Sequence, residues 1–157
     1  MKAIKALAGI LLLGLPLLSY SQEDLQEEKA GFDPELARQL GADEYGMKHY
    51  VIAFLKRGPN SSQNKEEADR LQRAHLDNIK ALADQGKLVV AGPFLDNGDI
   101  RGMYIFNVET VEEAEALTKT DPAIQAGRLI MELHPWYGSA ALIKTLEIHK
   151  SVAKKQI

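Results

Sequence analysis

Residues 88–108 read LVVAGPFLDNGDIRGMYIFNV, and this stretch decides the fold. Two apolar runs, Leu88–Phe94 and Arg101–Val108, flank a polar segment that contains Asn97-Gly98. This dipeptide is typical of the tight turn of a β-hairpin. We therefore predict two antiparallel strands, joined by a short turn, in the middle of the chain.

Amphipathic helices are predicted on both sides of this hairpin. The first runs from about Asn64 to Gln85, and Gly86 provides its C-terminal stop. The second begins at Val111, because Thr110 and Glu113 have the spacing of a capping box. The hairpin is thus the middle part of a strand–helix–strand–strand–helix pattern.

Two further strands complete the pattern. The segment His49–Lys56 is apolar at both alternating sets of positions, which is typical of a strand covered on both faces. Arg128–Trp136 supplies the last strand. The resulting order predicts an α+β fold, a ferredoxin-like βαββαβ sandwich with both helices on one face of a four-stranded sheet. We expect a second copy of the chain to cover the other face, in a homodimer of the dimeric α/β-barrel type or in a larger assembly of such dimers.

The N-terminal residues 1–21 have the pattern of a signal peptide. A basic start is followed by a short apolar run and by Ser19-Tyr20-Ser21, the small residues that a signal peptidase prefers. Cleavage near Ser21-Gln22 would place the mature protein in the periplasm or outside the cell. The alternative is an uncleaved membrane anchor, but the apolar run is shorter than the roughly 20 residues that a spanning helix needs.

We divide the remaining chain into three parts. Residues 22–46 form a leader with a short helix, which Asp33-Pro34 begins and Gly41 ends. Residues 47–137 form the ferredoxin-like domain, and residues 138–157 form a tail in which Leu142, Ile143 and Leu146 have helical spacing.

Composition excludes several classes of function. The chain has no cysteine, which excludes disulfides, thiolate metal sites and a cysteine nucleophile. Its net charge of −3 comes from scattered charges, so we expect no nucleic-acid partner and no membrane partner for the mature form. The four histidines lack close ligand spacing, and we expect neither a metal site nor a cofactor.

His75 is the most unusual residue of the first predicted helix. It lies in the middle of an apolar stripe that also contains Leu71, Ile79 and Leu82. A buried imidazole without hydrogen-bond partners costs about 1–3 kcal/mol, so both ring nitrogens need partners. The simplest interpretation is a core histidine whose nitrogens are satisfied.

Asp121 is the second candidate site residue. Because it precedes Pro122, it is expected to cap a short helical turn. A carboxylate that caps a helix still has acceptor sites for an imidazole N–H. In a ferredoxin-like fold the end of the second helix lies beside the first helix, so His75 and Asp121 are expected to meet.

These residues resemble the YCII-related family. The resemblance rests on GKLVVAGPF (86–94), RGMYIF (101–106), the motifs Asp121-Pro122 and Ala126-Gly127-Arg128, and His75, and it covers residues 47–137. It implies a dimeric ferredoxin-like fold whose hallmark is a histidine on the first helix and an aspartate after the second. The family includes a dehydrochlorinase that acts on a chlorinated hydroxyquinol, and its fold is similar to that of muconolactone isomerase.

The resemblance and the residue types together suggest a reaction. His75 would act as the general base on a small cyclic or enolisable substrate, and Asp121 would fix its tautomer. The activity would be that of a cofactor-independent lyase or isomerase. Arg101, Arg128 and His134 are candidates for substrate binding, although either arginine has an equally simple role in a rim salt bridge and His134 an equally simple one as an exposed residue.

Two other functions stay open. A non-catalytic dimeric protein that binds a small molecule would have the same fold, and so would a structural module with a buried His–Asp pair. A His75 that leaves one ring nitrogen facing a cavity favours the enzyme, whereas a His75 bonded at both nitrogens favours the binding protein.

Overall fold

The predicted alternation of strands and helices is present in the computed structural model, which describes residues 31–155. From Asp33 onward the chain forms one unit. Its elements are α1 (Pro34–Leu40), β1 (Met47–Arg57), α2 (Lys65–Asp84), β2 (Leu88–Pro93), β3 (Ile100–Phe106), α3 (Val111–Thr118), α4 (Pro122–Gln125), β4 (Leu129–Ser139), a 3-10 helix (Ala140–Lys144) and α5 (Thr145–Val152).

The four strands form one antiparallel sheet in the order β2-β3-β1-β4. Strand β1 is therefore central, and it pairs with both β3 and β4 along most of its length. This order, with α2 between β1 and β2 and with α3 and α4 between β3 and β4, is the ferredoxin-like arrangement expected from the sequence.

Side-chain caps fix where α2 and α3 begin. Asn64 accepts a hydrogen bond from the backbone N–H of Glu67 at 2.9 Å, which starts α2. Thr110 and Glu113 form the predicted capping box at the start of α3. Gly86 follows α2 with φ of +69°, a left-handed conformation that glycine adopts without steric cost.

The main core lies between the sheet and the helices. Its buried members on the strands alternate, as the two-residue period of a strand requires, and they pack against buried residues of α2 and α3. The buried residues of this core are Val51, Ala53, Leu55, Leu82, Leu88, Tyr104, Phe106, Val108 and Ala114.

The opposite face of the sheet is partly covered by the chain itself. Tyr50, Val89 and Ile105 are buried there, and Leu142 and Ile143 from the 3-10 helix pack against them. Our expectation that this whole face depends on a second copy was wrong for this end of the sheet. The reason is that the tail turns back over the sheet directly after β4.

Strand β4 is also longer than predicted. It passes through Pro135, as predicted, and continues beyond the predicted end at Trp136 to Ser139, which pairs with Met47 at the start of β1. Because β4 lies at the edge of the sheet, Pro135 needs no ladder hydrogen bond on its outer side. The proline therefore does not end the strand.

The signal-peptide prediction falls on residues outside the described range. Within residues 31–155, none of the helices is both long and apolar enough to cross a membrane.

Candidate functional site

His75 lies on the side of α2 that packs into the core. Leu71 and Leu82 are buried on the same side of the helix, and only 7% of the surface of His75 is exposed. The apolar stripe in the sequence therefore predicted the orientation of this imidazole correctly. Its ring nitrogens must find their partners within the protein.

Asp121 provides the first partner. Its Oδ2 lies 2.6 Å from Nδ1 of His75, and the carboxylate is 1% exposed. Its Oδ1 accepts a hydrogen bond from the backbone N–H of Ala123 at 2.8 Å, which caps α4. One buried carboxylate thus begins a helix and orients a histidine.

Tyr104 provides the second partner. Its hydroxyl oxygen lies 3.2 Å from Nε2 of His75, and the two rings are stacked with an interplanar angle of 20°. Because a carboxylate can only accept, Nδ1 of a neutral His75 carries the proton. Nε2 is then the acceptor, and the Tyr104 hydroxyl donates to it.

Tyr104 is the functional candidate that sequence reasoning missed. It lies on β3 with its side chain toward α2, and it is 2% exposed. Burial, together with the nearby carboxylate of Asp121, raises the pKa of this phenol well above its ordinary value. The sequence does contain one signal for it, a tyrosine at a core position of a strand. A buried hydroxyl nearly always has a hydrogen-bond partner, so such a tyrosine indicates a polar group nearby in the core.

A backbone contact holds the turn that follows Asp121. The N–H of Gly58 donates to the carbonyl of Arg128 at 2.8 Å, and the N–H of Asn60 donates to that of Gly127 at 3.0 Å. A Cβ atom at Gly58 would collide with the Gly127 carbonyl. The segment that leads into α2 is therefore fastened to the turn between α4 and β4.

The family model of the YCII-related domain matches residues 49–137, more than half of the chain. The chain belongs to the YCII-related family. The resemblance found in the sequence is thereby confirmed, and the matched range contains His75, Tyr104 and Asp121.

Other comparisons add little to the family assignment. The YCII-related chain is similar to the solved structure of 5-chloro-2-hydroxyhydroquinone dehydrochlorinase from Burkholderia phenoliruptrix in complex with 2,5-dihydroxybenzoquinone. The identity is 25%, the TM-score is 0.43, and the match covers 57% of this chain and 93% of that one. No curated protein matches the chain significantly.

Arg101 does not join the buried cluster of this YCII-related domain. It lies where the pairing of β1 with β3 shifts register. Its guanidinium reaches back to the carbonyls of Asp96 and Gly98, at 3.5 and 3.4 Å, in the β2–β3 turn. The expectation that this arginine lies beside His75 is therefore not supported by its contacts.

His134 lies on the other face of the sheet. Its ring contacts Phe54 edge-on, and its Nε2 lies 2.8 Å from Glu132, which also binds Lys56. The hydrogen bond from Lys56, followed by that from His134, lowers the pKa of Glu132. His134 thus belongs to an exposed polar group, and the sheet separates it from His75.

Arg128 has the position most compatible with the site. It lies on the turn that follows α4 and precedes β4, in the segment that Asp121 begins. Its side chain is half-buried, and its guanidinium lies 3.4 Å from Oε1 of Gln63, just before α2. Of the three predicted substrate-binding residues, Arg128 alone shares a chain segment with the His–Asp pair.

The His75–Asp121 pair is not part of a metal cluster among the described residues. No group of three metal-ligating side chains occurs in residues 31–155. A surface depression lined by Phe94, Asp96, Asp99 and Ile100 lies at the β2–β3 turn and includes neither His75 nor Asp121. The predicted hydrogen-bonded unit is therefore present, and the cavity that we expected beside it is not part of this depression.

Proposed function

We propose that this YCII-related protein is a cofactor-independent lyase or isomerase in which His75 is the general base. The observation that supports the proposal most is the buried contact of 2.6 Å between Nδ1 of His75 and Asp121. This contact selects the tautomer in which Nε2 keeps its lone pair, as a base requires. Asp121 also stabilises the imidazolium that forms after proton transfer.

The substrate class follows from the strength of such a base. A neutral imidazole removes a proton from a small cyclic or enolisable molecule whose C–H or O–H is already acidic. General-base catalysis contributes typically 10²–10⁴-fold to the rate, so the developing enolate also needs a positive neighbour. Arg128 is our candidate for that role because of its place on the turn after Asp121.

A second candidate function is a non-catalytic protein that binds a small molecule. It is favoured by the observation that both ring nitrogens of His75 already have partners, Asp121 and Tyr104. A base must exchange one of these bonds for a bond to substrate. A binding protein or a structural module needs no such exchange.

We also propose a homodimer of the dimeric α/β-barrel type, formed through the open half of the sheet. This half borders the cluster that the 3-10 helix covers, and its apolar side chains are half-buried or exposed. They are Ile52, Phe54, Met103 and Ile130. Pairing two such surfaces would remove them from water.

For localisation we propose export after cleavage near Ser21-Gln22, to the periplasm or beyond the cell. The proposal rests on the short apolar run and on the small residues that follow it. The mass of the intact protein, recovered from its native host, tests it. A mass that includes residues 1–21 would refute cleavage. The division into leader, domain and tail is a proposal of the same kind.

Proton exchange in D2O tests the enzymatic proposal without knowledge of the product. The protein would be incubated with a panel of enolisable ketones, hydroxyquinols and cyclic lactones, and deuterium incorporation followed by mass spectrometry. We expect one class to exchange with the parent protein and not with His75→Ala. His134→Ala is the matched control, because it removes an exposed histidine from the other face of the sheet.

The outcomes separate the two candidate functions. If deuterium exchange is lost in His75→Ala and kept in His134→Ala, the result supports the enzyme. Compounds that raise the melting temperature of the parent without exchanging any proton support the binding protein.

A further inference from the structure

The turn between β2 and β3 contains the dipeptide Asn97-Gly98, which lies outside the His75–Asp121 site. Residues 94–99 of this turn are all exposed. An asparagine followed by glycine favours tight turns, and it also has a reactivity of its own. The backbone nitrogen of the glycine can attack the side-chain amide carbon of the asparagine, because the product is a five-membered ring. The exposed dipeptide is therefore a candidate for chemical modification.

The five asparagines of residues 31–155 differ in what holds their side-chain amides. Four of them make side-chain hydrogen bonds, and they are Asn60, Asn64, Asn78 and Asn107. Within the described part of the chain, the side-chain contacts of the β2–β3 turn belong to Asp96 and Arg101. The amide of Asn97 takes no part in them, so its carbon is the least restrained of the five.

The attacking atom would be the backbone nitrogen of Gly98. Its N–H donates to Oδ1 of Asp96 at 3.2 Å, at the surface of the turn, and residue 98 lies outside the paired residues of β2 and β3. Glycine has no side chain that screens this nitrogen. By contrast, a serine, a lysine, an isoleucine or a valine follows each of the other four asparagines. Only a bond at the surface has to open before the nitrogen can attack.

We propose that Asn97 is a site of spontaneous deamidation, at which the asparagine becomes aspartate or isoaspartate. The nitrogen of Gly98 gives up its proton to a base in the solvent and forms a bond to Cγ of Asn97. The bond between Cγ and Nδ2 breaks, and Nδ2 takes a proton from water and leaves as ammonia. Water then opens the succinimide ring at one of its two carbonyl groups, which gives either aspartate or isoaspartate. The reaction needs only water, and it is independent of the role of His75.

Isoaspartate changes the turn more than aspartate does. It continues the chain through its side-chain carboxyl carbon, so the backbone between residues 96 and 98 becomes one carbon atom longer. The guanidinium of Arg101 contacts the carbonyls of Asp96 and Gly98, on the two sides of this point. The N–H of Phe94 donates to the carbonyl of the same arginine at 3.0 Å. The longer backbone therefore loosens the contacts that close the turn.

The first test follows all five asparagines while the folded protein is stored at pH 8.5 and 37 °C. Peptide mapping by mass spectrometry detects the replacement of an amide by an acid and separates aspartate from isoaspartate. We expect both products at Asn97, and unchanged amides at the other four positions over the same time. An unchanged Asn97, an equal loss at another asparagine, or aspartate without isoaspartate would overturn the proposal.

Gly98→Ala tests the attacking atom. The φ of Gly98 is not in the left-handed region, and the atoms nearest to an added Cβ belong to the Asp96 carboxylate, at 3.3 Å and beyond. The turn is therefore expected to keep its conformation. We expect deamidation of Asn97 to slow by at least about tenfold, which is equivalent to about 1.4 kcal/mol in the activation barrier. Equal rates in the parent and the variant would overturn the assignment of this nitrogen.

A comparison in guanidinium chloride separates the effect of the turn from that of the dipeptide, and it needs no variant. In the unfolded protein the other four asparagines lose their hydrogen bonds, so we expect their deamidation to become faster. The rate at Asn97 should change little, because the folded turn leaves this residue exposed. An Asn97 that reacts in the unfolded protein and not in the folded one would overturn the proposal.

Hydrogen exchange at the N–H of Phe94 tests the consequence for the turn. Asn97→Asp is the matched control, because it adds the same carboxylate without lengthening the backbone. We expect faster exchange in the isoaspartate form than in Asn97→Asp, which should resemble the parent. Equal exchange rates in the isoaspartate form and in Asn97→Asp would contradict the loosening of the turn.

Discussion

Asp121 lies 2.6 Å from Nδ1 of His75 although 46 positions separate the two residues in the sequence. The packing of α4 against α2 brings them together. The second oxygen of the same carboxylate caps α4, so the residue that orients the histidine also fixes the helix on which the contact depends. A change at Asp121 is therefore expected to affect both the start of α4 and the orientation of His75.

Substitutions at Asp121 should separate these two roles. Asn is a good helix cap, so Asp121→Asn should keep α4 and remain close to the parent in stability, while it loses control of the His75 tautomer. Asp121→Ala should lose the cap and leave Nδ1–H unpaired, at a cost of about 2–4 kcal/mol. Urea denaturation measures the stability and ¹⁵N spectra the tautomer. Equal losses of stability in the two variants would contradict this division.

The stability of the protein should fall above pH 10 because of Tyr104. Burial raises the pKa of this phenol in the folded state, whereas in the unfolded chain it ionises near its ordinary value of 10. Between these two pKa values the unfolded chain loses a proton that the folded protein retains, so unfolding becomes more favourable as the pH rises. Stability from urea denaturation at pH 9 and pH 11 should decrease less in Tyr104→Phe than in the parent. An equal decrease in both would contradict the prediction.

The contact of the tail with the sheet should contribute measurably to stability. Leu142 and Ile143 are half-buried against Tyr50, Val89 and Ile105, so replacing either of them by Ala should cost about 1–2 kcal/mol. Leu95→Ala is the control, because this side chain is 97% exposed and its loss should change stability by less than about 0.5 kcal/mol. Denaturation midpoints of the three variants provide the comparison. Three indistinguishable midpoints would mean that the tail is not part of the fold in solution.

A charge on the open half of the sheet should dissociate the proposed dimer. Ile130 is 46% exposed in the single chain, so Ile130→Asp should leave the monomer folded while it places a carboxylate in the paired surface. Ile148→Asp on α5 is the control, at a residue that is 60% exposed outside the sheet. Light scattering after size exclusion should show a dimer for the parent and Ile148→Asp, and a monomer for Ile130→Asp. A dimeric Ile130→Asp would place the interface elsewhere.

Periodicity predicted most of the fold because it is a local property of the chain. The alternation in β1 and the caps at Asn64 and Thr110 act within a few residues, and the structure follows them closely. The docking of the tail was not predictable in this way. The spacing of Leu142 and Ile143 indicates an apolar side, but the surface that this side contacts depends on where β4 ends.

The same limit explains which part of the site was found. His75 is a polar residue in the apolar stripe of its helix, and Asp121 precedes a proline in a typical helix-capping pattern. Each residue can therefore be recognised from its neighbours in the sequence. Tyr104 fits the core pattern of β3 without conflict. The contact of the Tyr104 hydroxyl with the His75 imidazole, 29 positions away, depends on which side of α2 faces the sheet, and this is known only from the structure.

At the close approach of Gly58 to Gly127, two loops meet backbone to backbone. The atoms that a methyl group at residue 58 would meet belong to the backbone of Gly127 and Arg128, which cannot rotate away as a side chain can, so the methyl group would have to push the loops apart. One loop leads into the helix of the imidazole, and the other follows the carboxylate. A side chain at residue 58 would therefore be expected to change the distance between His75 and Asp121, although neither residue touches it.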